Sequence, residues 1–272
     1  MNKTKKEIKS KKIVICIIAR LESKRLPKKV VKKINNQTII EHLITKLKKI
    51  TYKNIELAIC TTHQKEDDIL EDIAIANNIH CIRGSVLSVV DRIIDAAELT
   101  QADIIVRVTG DNIFTDHILL EKLIIEHISE KADYSRIENI PIGVTAEVVN
   151  LETLKNCFEE NNKDESEYMT LHLYQPDKYK VLVLVAKNSY SNINLSIDTA
   201  NDFIRTVSIF NYLKDDYSIT DIIDIINKYN ILHSQVDETS SVKLIHKVIK
   251  YQEYKEYLLN LRKKSIIKTI NI

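Results

Sequence analysis

Glycine is scarce in this chain: three occur in 272 residues, beside three prolines. That scarcity excludes both glycine-built phosphate loops, G-x-x-x-x-G-K-[ST] and G-x-G-x-x-G, neither of which is present. A phosphate site here has to rely on side-chain cations rather than on a glycine cradle. No Pro/Gly-rich linker and no internal repeat is visible, so the chain reads as one domain with a C-terminal extension over 231–272. Cysteine is also sparse. Cys16, Cys60, Cys81 and Cys157 lie far apart, form no C-x-x-C pair and sit mostly in apolar runs, which fits buried reduced thiols and a cytoplasmic location better than a zinc site or disulfides. The eight histidines show no H-E-x-x-H or other close pairing.

Long apolar runs are missing as well. None approaches the roughly 20 residues that span a bilayer, and MNKTKKEIKSKK at the start has no apolar stretch of a secretory signal. An excess of one charge is lacking too, since 40 basic residues offset 38 acidic ones. That balance argues against a nucleic-acid coat or a polybasic membrane binder, and a polyanion site must therefore be local. Residues 1–11 carry lysines without an interleaved aromatic, and read as a flexible basic tail rather than a nucleic-acid arm.

What is present is concentrated in residues 13–29, IVICIIARLESKRLPKK. Ile13 to Ile18 are apolar and mostly β-branched, as in a strand buried on both faces. The run ends in a loop that places Arg20, Lys24, Arg25, Lys28 and Lys29 within ten residues. So much like charge beside a buried strand is unfavourable unless an anion is to bind there, and strands of α/β sheets deliver ligand sites at their carboxyl ends. A polyphosphate is the ligand this pattern predicts.

Downstream, periodicity predicts a helix over 37–50, a strand over 55–61, a helix over 66–78, a short strand at 80–85, a helix over 88–100 and a strand over 103–110. This alternation predicts an α/β fold with a mixed, mainly parallel sheet flanked by helices. Short strands follow at 133–137, 144–149, 180–186 and 193–198, and from about 200 the pattern is helical, including a charged, tyrosine-containing run over 241–265. That C-terminal extension reads either as a homodimer arm or as a helical layer on its own sheet.

The three glycines, Gly84, Gly110 and Gly143, each fall where a strand is predicted to end, beside polar groups. Such positions suit the rim of a ligand site. Asp111 and Asp198 terminate β-rich runs, IIVRVTGD and INLSID. Two carboxylates from separate strand ends suit Mg2+, a hard ion that takes oxygen ligands and bridges phosphates; turn-capping and helix-capping are the alternative readings. Arg107, inside an apolar strand, needs a carboxylate partner if buried. His172 and Tyr174 fit a cleft lining or a helix face.

In their order these motifs resemble the cytidylyltransferases of the spore coat polysaccharide and acylneuraminate type, within the nucleotide-diphospho-sugar transferase superfamily and its Rossmann-like fold. Ala19 to Lys29 resembles A-R-x-x-S-x-R-L-P-x-K, and Arg83-Gly84-Ser85 with Val90-Asp91-Arg92 resembles R-G-S…L-D-R. Val106 to Asp111 resembles V-R-x-T-G-D, and Leu195 to Thr199 resembles L-x-x-D-T. The resemblance implies a nucleotidyltransferase domain over 12–230 that transfers CMP from CTP to a sugar or sugar-acid acceptor. It implies nucleotide contacts from Ala19, Arg20, Ser23, Arg25, Lys29, Arg83, Gly84, Ser85, Gly110 and Asp111, with Ser85 and its neighbouring backbone helping to read the cytosine. Arg20, Lys29 and Asp111 would be catalytic, Asp111 and Asp198 would bind Mg2+, and Glu147, Glu167 and Thr170 would face the acceptor.

Departures accompany the likeness. Lys28 stands where relatives usually carry glycine, and Ile113 where they carry proline. Pro141 to Glu147 reads PIGVTAE against P-R-G-L-D-V-E, and Ser166 to Thr170 reads SEYMT against R-E-H-V-T. The nucleotide half is retained and the acceptor half altered, so the acceptor is either unusual and less anionic or its chemistry is lost. A glycosyltransferase of the same fold would need a second acid near Asp111, where Asn112-Ile113 follows. A non-catalytic nucleotide-binding homologue is the remaining alternative.

Overall fold

The computed structural model of the chain describes residues 11–144, 146–160, 169–232, 241–244 and 248–272. Strand β1 (Ile13–Ile18) leads through the basic loop and a 3-10 turn at Lys29–Val31 to a hairpin, β2 (Lys33–Ile34) and β3 (Gln37–Thr38), and then to helix α1 (Ile39–Leu47). Thr38 starts α1 with a capping box: Glu41 N–H donates to its hydroxyl, and the Thr38 N–H donates to the Glu41 carboxylate. Next come β4 (Ile55–Thr62), α2 (Asp68–Ala76), β5 (His80–Gly84), α3 (Val89–Thr100), β6 (Ile104–Thr109) and α4 (His117–Glu130). The second half contributes β7 (Tyr134–Glu138), β8 (Glu147–Asn150), α5 (Leu151–Glu160), α6 (Met169–Leu173), β9 (Val181–Ala186), α7 (Ala200–Phe210) and α8 (Ile219–Lys228).

Closing the described chain are β10 (Ser241–Lys243), β11 (Val248–Lys250), α9 (Tyr251–Lys263) and β12 (Ile266–Ile270). Eight strands form one sheet in the order β12-β9-β7-β8-β6-β1-β4-β5. Among the described residues only β8 runs antiparallel to its neighbours in this sheet, so the sheet is mixed but mainly parallel, as the alternation predicts.

Strand periodicity of two divides the core into two layers. Ile13, Ile15 and Ile17 of β1 face the layer built by α1, α2, α4, α7 and α8, while Val14 and Cys16 face the layer of α3, α5 and α6. All five are essentially inaccessible. At roughly 1.5–3 kcal/mol for each fully buried aliphatic side chain, β1 alone accounts for a substantial share of the driving force for folding. Because β1 pairs with β4 on one side and β6 on the other, chain direction across the sheet reverses there, and the crevice at their carboxyl ends is where such sheets bind ligands.

Two expectations are corrected. Residues 193–198 are not a strand; they run extended, with one bridge between Ile142 and Asn194. The run over 241–265 is helical only from Tyr251; before it, β10 and β11 form an antiparallel hairpin. After it, β12 pairs in parallel with β9 and closes one edge of the sheet. The extension therefore packs on its own sheet, the second of the two readings. Its β-branched IIKTI segment suits a strand.

Candidate active site

The loop after β1 is anchored by its apolar residues, which leaves Arg20, Lys24, Arg25 and Lys28 exposed while Lys29 is largely covered. Leu21 and Leu26 are buried in the core. Asp67 at the start of α2 is also buried and accepts from Leu21 N–H at 2.7 Å and from the Thr62 N–H and hydroxyl. Ala19 N–H donates to Cys60 O at 3.3 Å, and Gly110 N–H donates to Ile18 O at 2.8 Å. A β-carbon on Gly110 would lie 3.0 Å from Ala19 Cβ and 3.3 Å from Ile18 O. Glycine lets the β6 end close onto the basic loop without pushing Ala19 or the Ile18 carbonyl aside.

That closure brings the two carboxylates to the loop. Lys29 Nζ is ion-paired with Asp111 and donates to Asp198 Oδ1 at 3.0 Å. Arg25 Nη2 lies 3.0 Å from the same Asp198 oxygen. Burial alone would lower the Lys29 pKa, but Asp111 and Asp198 outweigh it and raise the value, holding the ammonium charged. Asp198 is positioned from behind: Asp202, the third residue of α7, accepts from Asp198 N–H at 3.1 Å and from Thr199 N–H at 2.8 Å. Arg205 fixes Asp202 at 2.7 Å and donates to Ser196 O at 2.8 Å.

Ala19, Arg20, Ser23, Arg25, Lys29, Gly110, Asp111 and Asp198 all line one cleft of about 580 Å3. Two carboxylates meeting around one ammonium offer hard oxygen donors of the kind that a divalent cation such as Mg2+ takes. Among the described residues no third His, Cys, Asp or Glu joins them, so the other ligands would be water and phosphate oxygens, which Mg2+ favours.

Arg83 is placed otherwise than expected. Its guanidinium pairs with Asp68 at 2.7 Å and Glu71 at 2.9 Å, and donates to the carbonyls of Thr62 and Gln64. Those bonds tie β5 to α2, and Arg83 is not among the residues that line the cleft. Gly84 and Ser85 also lie outside the cleft lining and pack behind it: a β-carbon at Gly84 would lie 2.6 Å from Arg92 Cγ, and the Ser85 hydroxyl accepts from Leu87 N–H at 3.1 Å. Val86, Leu87 and Arg92 form that wall of the cleft.

Arg92 is the residue sequence reasoning missed. It is 2% exposed and donates to Ser88 O and Cys60 O, both at 3.3 Å. Burial lowers its pKa, and the nearby Arg20 charge adds to the lowering. Its signal was the Arg in Val90-Asp91-Arg92, on the buried face of α3.

Beyond the carboxylates, Glu147 and Thr170 do come together, while Glu167 lies outside the described residues. Glu147 pairs with Arg107 at 3.1 Å and accepts from the Tyr134 hydroxyl at 2.7 Å and from Thr170 at 3.0 Å. Burial would raise its pKa; the Arg107 and Arg136 guanidiniums outweigh that and hold it below the usual carboxylate range. Glu138, at the end of β7, is bonded by Tyr174 at 3.0 Å and approached by Arg136 at 3.4 Å and by Arg262 of α9 at 3.2 Å. Tyr174 is thus a buried network member, its ring 4.8 Å from the Arg136 guanidinium, and His172 is buried on α6.

A family model for cytidylyltransferases matches residues 14–215. The chain belongs to the cytidylyltransferase family, and so to the nucleotidyltransferases. It is 30% identical over 226 residues to the spore coat polysaccharide biosynthesis protein SpsF of Bacillus subtilis, covering 79% of this chain and 94% of that one. It is also 30% identical over 252 residues to the uncharacterized protein MJ1063 of Methanocaldococcus jannaschii, covering 90% and 98%. Among solved structures, a cytidylyltransferase from Leptospira borgpetersenii superposes with a TM-score of 0.77 at 26% identity, over 84% of this chain and 99% of that one.

The departures from the family pattern now have places. Lys28 has φ 56°, the left-handed conformation that explains the usual glycine. Ile113 is fully buried and fills core volume instead of stiffening a turn. Ile142 is 40% exposed and pairs with Asn194 beside the strand-end turn at Gly143.

Proposed function

We propose that the chain is a Mg2+-dependent cytidylyltransferase that transfers CMP from CTP to a sugar or sugar-acid acceptor and releases pyrophosphate. The observation that carries this reading is the convergence of Arg25 and Lys29 on Asp111 and Asp198 in the cleft that Arg20 also lines. Arg20, Arg25 and Lys29 bind and orient the triphosphate, and Arg92 adds a cation at the cleft wall. Asp111 and Asp198 hold Mg2+, which when bound supplies Lewis-acid polarisation and charge neutralisation at the phosphates. An acceptor hydroxyl bonds to the α-phosphorus as the bond to the α–β bridging oxygen breaks. Its proton passes to water, and pyrophosphate leaves with the electron pair among the loop cations. The relative named for spore coat polysaccharide biosynthesis supports a surface glycan as the destination, and the CTP requirement supports a cytoplasmic setting.

The acceptor on this reading is anionic. Among the described residues three guanidiniums, Arg107, Arg136 and Arg262, face two carboxylates, Glu138 and Glu147, and a carboxylate or phosphate on the acceptor would balance the positive charge left there, in place of the less anionic acceptor that the altered motifs suggest. The arginine and histidine lost from the family pattern would thereby be replaced by cations from β6, β7 and α9.

Pyrophosphate release from CTP across neutral sugars, sugar phosphates and sugar acids tests this. Turnover should require Mg2+ and an anionic acceptor, and Asp111→Asn should lower kcat by about 100-fold or more with the thermal transition retained. No pyrophosphate over the whole panel would contradict the proposal.

A further inference from the structure

The two carboxylates assigned to the metal are already bridged by a cation of the chain itself. Lys29 Nζ reaches both Asp111 and Asp198, and Arg25 shares the Asp198 oxygen. Two side-chain cations thus balance two carboxylates. The Lys29 side chain is 15% exposed and Asp111 is 18% exposed, so bulk water screens this cluster only in part. A divalent cation entering between the same oxygens meets an ammonium in its place, and like charges at that separation repel.

Around Lys29 the backbone is tied down by main-chain hydrogen bonds, while the side chain is held by the two carboxylates. Lys28 N–H donates to Leu21 O at 3.1 Å, and Lys32 N–H donates to Lys29 O at 3.1 Å. Val30 is buried against Gly110. Any exchange of partners at Lys29 is therefore a rotation of its side chain within the cleft, where Arg20 and Arg25 also stand.

We propose that Lys29 is an internal stand-in for the metal: its ammonium holds Asp111 and Asp198 together in the free protein and yields them to a divalent cation only when a triphosphate arrives to receive the lysine. The inference rests on the reading of this cleft as a metal–nucleotide site. Metal alone strands the lysine without a counter-charge. Nucleotide alone finds Lys29 and Arg25 engaged by carboxylates. When both arrive, the carboxylates exchange ammonium for metal and the lysine exchanges carboxylate for phosphate, so every charge keeps a partner. Metal and nucleotide binding are then positively coupled, each raising the affinity for the other by the same factor.

Binding of Mn2+ to the full chain, followed by the electron paramagnetic resonance signal of free Mn2+, tests this with and without CTP and against CTP alone. In the wild type, CTP should raise Mn2+ affinity by about tenfold or more. Lys29→Met should raise the nucleotide-free Mn2+ affinity by a similar factor and shrink the coupling to CTP, and Mn2+ alone should then raise the melting temperature of the variant but not of the wild type. Lys29→Gln, which keeps hydrogen-bonding capacity, should behave likewise and serves if Lys29→Met unfolds. Folded variants that bind Mn2+ no more tightly than the wild type would overturn the proposal. So would a wild type whose Mn2+ affinity is high and indifferent to CTP. Failure of the wild type to bind Mn2+ even with CTP would instead overturn the metal–nucleotide reading, and this inference with it.

Discussion

Lys28 at φ 56° sits in left-handed backbone, where a β-carbon crowds the following carbonyl at a cost of roughly 1–2 kcal/mol. The loop tolerates it because Lys28 N–H is held by Leu21 O and the flanking Leu26 and Val30 are buried. Lys28→Gly should therefore stabilise the protein by about 1 kcal/mol, after allowing for the greater chain entropy of glycine in the unfolded state. Chemical denaturation reads this directly, and a destabilised variant would mean the lysine side chain makes a contact worth more than the backbone strain. The departure at this position was legible from residue type, since a missing glycine points to a strained turn. Arg83 was not legible in that way. Its acids, Asp68 and Glu71, belong to a helix a dozen or more residues away, and sequence does not say which side of β5 they cover.

At the scale of elements, the site depends on how the turn at 141–144 meets the segment at 194–198. Gly143 has φ +87°, and a β-carbon there would lie 2.4 Å from Ser196 N and 2.8 Å from Leu195 C. Ile142 N–H donates to Ile193 O at 2.9 Å and its carbonyl accepts from Leu195 N–H at 2.7 Å across this approach. Gly143→Ala should cost about 2 kcal/mol or more and shift Asp198 away from Lys29, lowering metal-dependent nucleotide affinity along with the melting temperature. Unchanged values of both would show that the turn does not set the position of Asp198. Sequence placed a strand over 193–198 because the run alternates; its pairing edge is limited to one bridge, since α7 begins immediately after Thr199 with its own capping box. The parallel core strands were legible because burial on both faces leaves continuous apolar runs. β12 was hidden behind the lysines and tyrosines of α9, whose pattern reads as one continuing helix.

Over the whole molecule, the cations of the cleft lie at the carboxyl ends of β1 and β6, and a buried histidine sits at the other end of the sheet. His127 is 1% exposed, its Nδ1 2.7 Å from the Ser135 hydroxyl and its Nε2 3.0 Å from Asn150 Oδ1. Asn150 Nδ2 donates to Ala132 O, which leaves the Asn150 side-chain oxygen to accept from Nε2, and the Ser135 hydroxyl can donate to Nδ1 of a neutral ring. Burial pushes the pKa down to about 4 from 6.5, with Asn150 and Asp133 opposing. The folded value lies below the unfolded one, so this contribution to stability is complete above pH 6.5 and is lost as pH falls toward 4. Stability should drop by about 2 kcal/mol between pH 7 and pH 5 from this group. Urea unfolding at both pH values, in the wild type and in His127→Gln, checks it: the variant should lose most of that pH dependence, and an equal slope in both would assign the effect elsewhere.

A net charge of +2 gives the molecule no general affinity for polyanions, so the proposed nucleotide binding has to come from a local site, the cleft lined by Arg20, Arg25 and Lys29. Thermal stabilisation by CTP, UTP, ATP and GTP, each with and without Mg2+, tests that most directly, because a ligand of the folded state alone raises the melting temperature. The account predicts a rise selective for CTP and strengthened by Mg2+. No rise with any nucleotide, or one of equal size with all four and indifferent to Mg2+, would contradict it.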